Sequence, residues 1–255
     1  MSTPLKIVTV FPRIFNVNGD SENALVLAQR ARWAGHAAEI VAWDPDDAAP
    51  AFRPDIVIIG STTDAQLPDA IEALGRNREI LAGWLADSVP LLAVGTGWEL
   101  HSESIELSAG TIAGLGLLPG RAALAATRVT DDLVVDSRFG RLIGYENHAR
   151  DYIVDALTGA DTLGRVTYGR GNSGAASSAA VSSALAGFEG LVIGSTIATH
   201  LHGPVLAKNP TVADHLLGLA LGDVYDSRSV PAGRVDDIAR AARNVIATRL
   251  ELGAE

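Results

Sequence analysis

The chain has 255 residues, of which 47% are hydrophobic and 20% charged. This composition fits one large α/β domain or one domain with a helical appendage. Its 20 basic and 30 acidic residues leave a formal net charge of −10, which argues against nucleic acid or an anionic membrane as the main partner, because phosphate binding needs clustered Lys and Arg. It contains no cysteine, which excludes disulfides, zinc–thiolate sites and cysteine-based catalysis.

Apolar runs in the chain are short. None reaches the roughly 18 residues that a membrane-spanning helix needs. The first residues lead directly into a strand pattern and lack the layout of a signal peptide. We therefore expect a cytoplasmic protein with no membrane insertion.

The first hundred residues alternate between strand and helix patterns. Apolar, β-branched segments predict strands at 5–11, 38–43, 55–60 and 91–94. A helix capped by Asp20 or Ser21 is predicted to end at Gly35, and a second helix covers about 67–86. Repeated βα units predict an α/β fold with a doubly wound, mainly parallel sheet. The loops 11–20, 60–64 and 95–97 then lie side by side at the carboxyl ends of the strands.

The second half of the chain is richer in strand patterns. Strands are predicted within 133–143, at 163–169 and at 190–196, with a Ser/Ala/Gly-rich loop over 171–186. Helices are predicted over 212–221 and about 235–252. We expect one α/β domain over 1–222 and a C-terminal helical extension over 223–255.

The stretch 90–100 combines a buried strand, a glycine-rich turn and a helix start. This is the layout of a nucleophile elbow, but the residue at its crest is Gly95, which has no reactive group. Thr96 stands next to the crest and could offer a hydroxyl. The run from Thr96 to Glu99 also fits a capping box, in which Thr96 caps the helix and Glu99 reaches back. We favour the capping interpretation.

Several segments in order resemble the class I glutamine amidotransferases, in particular the cobyric acid synthase-like group that includes the GatD subunit of lipid II isoglutaminyl synthase. The matching segments cover most of the chain to about residue 222. They are an opening strand and helix with Phe11-Pro12 and Gly19-Asp20, the run Gly-Tyr-Glu-Asn-His at 144–148, Leu163-Gly164, Gly171-Asn172, and Thr-His-Leu-His-Gly-Pro at 199–204.

The resemblance implies roles for individual positions. In that family an elbow cysteine attacks the glutamine side-chain amide, a histidine takes its proton, and backbone N–H groups hold the oxyanion. Position by position, Gly95 is the vacant nucleophile position and His202 the retained base position. The oxyanion loop corresponds to Gly60, Ser61 and Thr62, and Glu99 stands where the family usually has Gln. Two rewritten loops favour natural loss of activity over a single engineered change.

The resemblance therefore implies a glutaminase-dead relative of the subunit that supplies ammonia for peptidoglycan amidation. It would act as a binding or complex subunit beside a Mur-ligase-like partner, with a small-molecule ligand in the old glutamine pocket. Two alternatives stay open: an amidohydrolase with a surrogate hydroxyl from Thr96, Ser61 or Thr62, and an engineered catalytic subunit. No cofactor or metal is expected, since His148 and His200 lack the spacing of a metal site.

Overall fold

The computed structural model describes residues 3–155, 159–172, 183–228 and 230–254. Its centre is a six-stranded sheet in the order β2-β1-β3-β4-β12-β11. All neighbours in this sheet pair in parallel except β11, which is antiparallel to β12. The predicted doubly wound, mainly parallel sheet is confirmed. Its strands are β1 (Leu5–Val10), β2 (Ala38–Trp43), β3 (Ile56–Ile59), β4 (Leu91–Val94), β11 (Leu191–Ile193) and β12 (Thr196–Thr199).

Helices cover both faces of this sheet. One face packs on α1 (Asn23–Trp33), α5 (Val205–Lys208) and α6 (Pro210–Leu221), and the other on α2 (Leu67–Gly75) and α3 (Arg78–Ala86). The central strands β3 and β4 are buried throughout, as expected for parallel strands covered on both sides.

The single helix predicted over 67–86 is wrong, because α2 ends at Gly75 and α3 begins at Arg78. Asn77 adopts φ −114° and ψ 15°, outside the helical region. Its side-chain amide donates to the Ala73 carbonyl, and Arg78 donates to the carbonyl of Leu115. These contacts fix a break that the apolar spacing alone does not reveal.

A second sheet, which the sequence patterns did not predict as such, is built on one long hairpin. Its strands β7 (Arg121–Ser137) and β8 (Gly140–Ile153) pair antiparallel along their length, with an irregularity between Leu124 and Val129. Four short strands extend it in the order β10-β9-β7-β5-β6. They are β5 (Ser104–Leu107), β6 (Gly110–Ala113), β9 (Gly164–Tyr168) and β10 (Phe188–Glu189).

The single strand predicted at 190–196 is also wrong. The chain reverses at Gly194, whose φ is +57°, so that β11 and β12 form a hairpin. Glycine adopts such a positive φ without steric cost. Thr199 at the end of β12 is in register with Val94 at the end of β4. The residues that follow Thr199 are thereby delivered to the carboxyl end of β4.

The C-terminal helix α7 (Val230–Arg249) begins and ends earlier than the predicted 235–252. Ala247 of α7 is buried against Val134 and Ile143 of the long hairpin. The division into 1–222 and 223–255 stays a prediction. Most of the predicted loop 171–186 lies outside the described residues. Within the described ranges, no helix is both long enough and apolar enough to cross a membrane.

Candidate active site

The turn after β4 has the geometry of a nucleophile elbow. Gly95 adopts φ 54° and ψ −122°, and its N–H donates to the Thr199 carbonyl at 2.9 Å. The short helix α4 (Thr96–Glu99) follows directly. Gly97 lies so close to the carbonyl of Gly60 that a Cβ there would overlap it. The elbow is therefore packed tightly onto the loop that follows β3.

His202 faces the crest of the elbow. A Cβ built on Gly95 would lie 2.8 Å from Cε1 of His202 and 3.3 Å from its Nε2. The His202 ring is completely buried, and its backbone N–H donates to the Tyr145 carbonyl at 2.8 Å. Asn18 Nδ2 lies 3.3 Å from each ring nitrogen. The structure thus brings the predicted base position to the predicted nucleophile position.

Asp20 holds His202 in place, a role that sequence reasoning missed. Its carboxylate oxygens lie 3.0 and 3.1 Å from His202 Nδ1, and its Oδ2 accepts the N–H of Ser61 at 3.0 Å. The predicted N-cap role is wrong, since no side-chain cap bond is formed there and Asp20 is fully buried. A Cβ on Gly60 would lie 2.5 Å from Asp20 Cβ, so glycine at position 60 leaves room for this carboxylate. The sequence offered one indication of this role: Asp20 lies in the loop after the first strand, at the sheet edge where parallel α/β sheets bind their ligands.

Ser61 and Thr62 form the loop opposite the elbow, and both of their backbone N–H groups already have acceptors. Ser61 N–H donates to Asp20, and Thr62 N–H donates to Thr96 Oγ1 at 2.6 Å. Ser61 Oγ donates to the Val94 carbonyl at 3.2 Å. This hydroxyl also fills the space that a side chain on Gly95 would need, because a Cβ there would overlap it.

The predicted capping box from Thr96 to Glu99 is wrong. Thr96 makes no cap bond to its own helix, and its hydroxyl instead donates to the Thr62 carbonyl at 3.2 Å. Glu99 is turned away from the helix start and accepts Arg150 Nε at 2.6 Å. Arg150 also binds Asp64 with two hydrogen bonds of 2.7 and 3.1 Å. This contact holds the pKa of the Asp64 carboxyl below its usual value.

A cleft of about 210 Å³ lies between the elbow, the Ser61–Thr62 loop and the long hairpin. Arg128 and Asn147 line the far wall, with Arg128 donating to Asn147 Oδ1 at 2.8 and 3.0 Å. Asn147 in turn donates to Asn18 Oδ1 at 3.2 Å. This polar wall links the mouth of the cleft to His202 through Asn18.

His148 lies in the cleft wall and is held by a buried hydrogen-bond network. Its Nε2 is 3.1 Å from Glu146 Oε2, and its ring stacks on His200 at 4.3 Å between centroids. Burial lowers the pKa of His148, but the Glu146 carboxylate outweighs burial and leaves that pKa raised. His200 contacts Glu189 on its other side. Among the residues that the structure describes, no group of three or more His, Asp and Glu could hold a metal ion.

The sequence matches the CobB/CobQ-like glutamine amidotransferase domain over residues 6–210. The chain belongs to this family. It is 29% identical over 204 residues to the GatD subunit of the glutamine-hydrolysing lipid II isoglutaminyl synthase of Staphylococcus aureus (strain N315), covering 79% of this chain and 78% of that protein. It is 25% identical over 227 residues to the GatD subunit from Streptococcus pneumoniae (strain ATCC BAA-255 / R6), covering 87% and 82%.

The fold is similar to the crystal structure of a glutamine amidotransferase from Thermotoga maritima. The TM-score is 0.52 at 13% identity, covering 98% of this chain and 96% of that one. At this identity the likeness concerns the fold alone.

In this amidotransferase family member, most of the predicted site residues border one cleft. Ser61, Thr62, Gly95, Thr96 and Glu99 line it. Gly60 instead packs behind the loop against Phe15 and Asp20. Sequence reasoning missed Asp20, Asn18 and Arg128. The first two lie in the predicted loop cluster, whereas Arg128 comes from a hairpin strand that carried no motif.

Proposed function

We propose that this chain is a glutaminase-inactive relative of the GatD subunit and acts by binding within a complex. The observation that carries the proposal is the filled crest of the elbow. The chain contains no cysteine, and Ser61 Oγ occupies the volume where the first side-chain carbon of a nucleophile would stand. The position therefore carries no thiol, and a side chain there would overlap Ser61 Oγ unless that hydroxyl moved.

The loop opposite the elbow supports the same proposal. An amide-hydrolysing elbow needs a backbone N–H from the facing loop for the developing oxyanion. Here the N–H groups of Ser61 and Thr62 are bound to Asp20 and Thr96. Losing one such donor costs about 10²–10³ in rate. Even a restored thiol would then turn glutamine over slowly.

The fit between Ser61 and Gly95 argues against an engineered catalytic subunit. A laboratory Cys→Gly change would empty the crest and leave the facing loop as it was. In this chain the facing loop carries a hydroxyl that fills the crest, so the two positions are adjusted to each other. Paired adjustment is expected when a site drifts after its activity is no longer selected.

The proposed partner is a Mur-ligase-like protein. The two GatD relatives are named as subunits of a synthase, which supports a shared mode of assembly. The test is co-expression of this chain with the Mur-ligase-like protein of its own organism, followed by size-exclusion chromatography. Co-elution as a defined complex is expected. Separate elution of two folded proteins would remove the complex from the proposal.

The cleft is proposed to hold a small polar molecule without hydrolysing it. Arg128 and Asn147 offer donors on one wall, and the acidic side chain of Asp64 lies on another. Glutamine and glutamate are the probes, each titrated by calorimetry. Binding that weakens in Arg128→Ala would support the cleft as a ligand site. Binding that is equal in both proteins would place the ligand elsewhere.

The catalytic part of the proposal is tested by ammonia release from glutamine. We expect no release above background from the chain alone or with its partner, while the S. aureus GatD subunit with its own partner serves as the positive control. Release that disappears in Thr96→Ala would revive Thr96 as a surrogate nucleophile. Release that disappears in Ser61→Ala would do the same for Ser61.

A further inference from the structure

His148 lies in the cleft wall with both of its ring nitrogens facing hydrogen-bond acceptors. Its Nδ1 is 2.7 Å from the Arg150 carbonyl oxygen, and its Nε2 is 3.1 Å from Oε2 of Glu146. A neutral imidazole carries a hydrogen on only one nitrogen, so it can donate to one of these acceptors but not to both. The imidazolium donates from both nitrogens. The two contacts therefore fit a protonated ring.

Glu146 supplies the negative charge that balances this imidazolium. Its side chain is completely buried and accepts the backbone N–H of Arg170 at 2.6 Å and that of Gly171 at 2.9 Å. Two backbone donors favour the ionised form of a carboxyl group. Glu146 and protonated His148 thus form a buried ion pair in which each charge compensates the other.

The other titratable and charged groups around His148 favour a single positive charge at this point. The His200 ring stacks on His148 at 4.3 Å between centroids, and two cations at that distance would repel each other. His200 Nδ1 in turn faces Oε2 of Glu189 at 3.4 Å. The remaining charged side chains nearby have hydrogen-bond partners of their own: Glu99 with Arg150, Arg170 with Asp151, and Arg128 with Asn147.

We propose that His148 and Glu146 form a pH-sensitive switch in the cleft wall, which loosens when His148 loses its proton. A neutral ring must turn a lone pair toward either the Glu146 carboxylate or the Arg150 carbonyl, and in both cases the buried carboxylate loses its counter-charge. Glu146 also holds the N–H groups of Arg170 and Gly171, so its displacement frees the turn after β9 from β8. Because His148 lines the cleft, the change reaches the cleft surface.

The sign of the pKa shift gives the direction of the response. Burial lowers the pKa of His148, but the Glu146 carboxylate outweighs burial and raises that pKa above the ordinary value of 6.5. The stabilisation from the ion pair is then complete below the pKa of the unfolded chain and is lost as the pH rises through the pKa of the folded chain. The switch is therefore closed in mildly acidic solution and opens on the alkaline side.

The first test is an NMR titration of the wild-type chain. Long-range ¹H–¹⁵N spectra, assigned to His148 through the backbone, report on each ring nitrogen separately. At pH 7 we expect both nitrogens of His148 to show the chemical shift of an imidazolium, and one of them to change at higher pH. One unprotonated nitrogen at pH 7 would overturn the proposal. A ring that keeps its proton until the whole protein unfolds would also overturn it, because the pair would then be a fixed contact.

The second test measures the loosening itself by hydrogen exchange. The backbone N–H groups of Arg170 and Gly171 report on their bonds to Glu146. Over the pH range in which His148 titrates, and after correction for the intrinsic exchange rate, their protection should fall at least about fivefold. The N–H of Val57, which donates to the Pro90 carbonyl at 2.8 Å, should keep its protection. Constant protection at Arg170 and Gly171 while His148 loses its proton would overturn the switch.

Two variants separate the charge of His148 from its packing. Glu146→Gln removes the counter-charge, so His148 should lose its proton at a lower pH than in the wild type. His148→Gln cannot titrate, so the protection of Gly171 should no longer fall at alkaline pH. His215→Gln is the matched control, since His215 lies on α6 against Phe139; this variant should respond to pH as the wild type does.

Thermal melting of each variant reports on folding, and the wild-type titration decides the question if a variant does not fold. An alkaline loss of protection in folded His148→Gln equal to that of the wild type would assign the response to another group and overturn the proposal. These measurements use neither a ligand nor a partner protein. Their failure would leave the glutaminase-inactive proposal standing, and ammonia release from glutamine would contradict only that earlier proposal.

Discussion

At the level of single residues, the side chain of Ser61 points into the space that a side chain at position 95 would need. The residue types at the two positions therefore depend on each other. The crest position has a positive φ, which glycine adopts without strain. Ser61 can keep its hydroxyl at the crest of the elbow only because position 95 carries no side chain. Substitutions at the two positions should therefore be coupled rather than additive, as is usual for residues in direct contact.

The first prediction concerns repair of the elbow. Gly95→Cys should lower the free energy of unfolding by about 1–3 kcal/mol through strain at positive φ, and by a further ~1–3 kcal/mol through overlap with Ser61. Adding Ser61→Gly removes the overlap with Ser61 and leaves the 2.8 Å approach of the new Cβ to His202 Cε1, so the double variant should be more stable than Gly95→Cys alone. Urea unfolding of Gly95→Cys, of Ser61→Gly and of the double variant completes the double-mutant cycle. Gly95→Cys with wild-type stability would show that the crest of the elbow has room for a side chain.

The second prediction concerns the hydroxyl of Thr96, which bridges the elbow and the loop after β3. Thr96→Val leaves the N–H of Thr62 without its acceptor, and a buried unpaired donor costs about 1–3 kcal/mol. Thr63→Val is the control, since the Thr63 hydroxyl is exposed and bonds to Gln66; its stability should stay within about 0.5 kcal/mol of the wild type. Thermal or urea unfolding measures both. Equal stability losses would contradict the bridge.

At the scale of elements, α4 is held by a histidine that must stay neutral. His101 is buried directly after the helix, and its Nδ1 lies 2.6 Å from the Gly97 carbonyl. Burial lowers its pKa from 6.5 to about 4. Between about pH 4 and pH 6.5, His101 is therefore protonated in the unfolded chain but neutral in the folded chain. This gives the elbow a predictable response to acid.

The third prediction is that this histidine weakens the fold as pH falls from about 6.5 to about 4. In that window the unfolded chain binds a proton that the folded chain does not, so the free energy of unfolding drops by roughly 1.4 kcal/mol per pH unit. Above pH 6.5 the free energy of unfolding no longer depends on the protonation of His101. The total loss between about pH 6.5 and about pH 4 is about 3 kcal/mol. His101→Gln cannot titrate, so its stability should fall less between pH 7 and pH 4.5. Parallel curves for the two proteins would contradict the lowered pKa.

The elements also show which features a sequence can predict. β3 and β4 were predictable because strands buried on both faces are continuously apolar. The break between α2 and α3 was not, since it depends on the contact of Arg78 with the distant Leu115 carbonyl. The elbow turn was found from its local pattern. The partners of Thr96, Glu99 and Asp20 come from other loops, so local capping rules predicted the wrong contacts.

At the scale of the whole molecule, one buried arginine ties three helices together. Arg30 on α1 is 3% exposed. It binds Asp214 on α6 through two hydrogen bonds of 2.7 and 2.8 Å, and Asp236 on α7 at 2.6 Å. Tyr225 donates to Asp214 from the segment between the last two helices. The C-terminal helix is thus joined to the domain by an ion-pair network as well as by the apolar contact of Ala247.

The last prediction is that Arg30→Met destabilises the protein and loosens α7. Removing the guanidinium leaves two carboxylates beside each other without a cation, and losing one partner of a fully buried ion pair costs about 3–5 kcal/mol. Asp214 and Asp236 are 23% and 36% exposed, so solvent screening reduces the expected loss to about 2–3 kcal/mol.

Arg76→Met, which removes an exposed pair with Glu72 on α2, is the control and should cost at most about 0.5 kcal/mol. Urea unfolding measures stability, and hydrogen exchange over 230–249 reports on α7 directly. Exchange in α7 should rise in Arg30→Met and stay unchanged in Arg76→Met. If Arg30→Met loses stability while α7 keeps its protection, the network serves α1 and α6 alone, and the C-terminal helix is held by its apolar contacts.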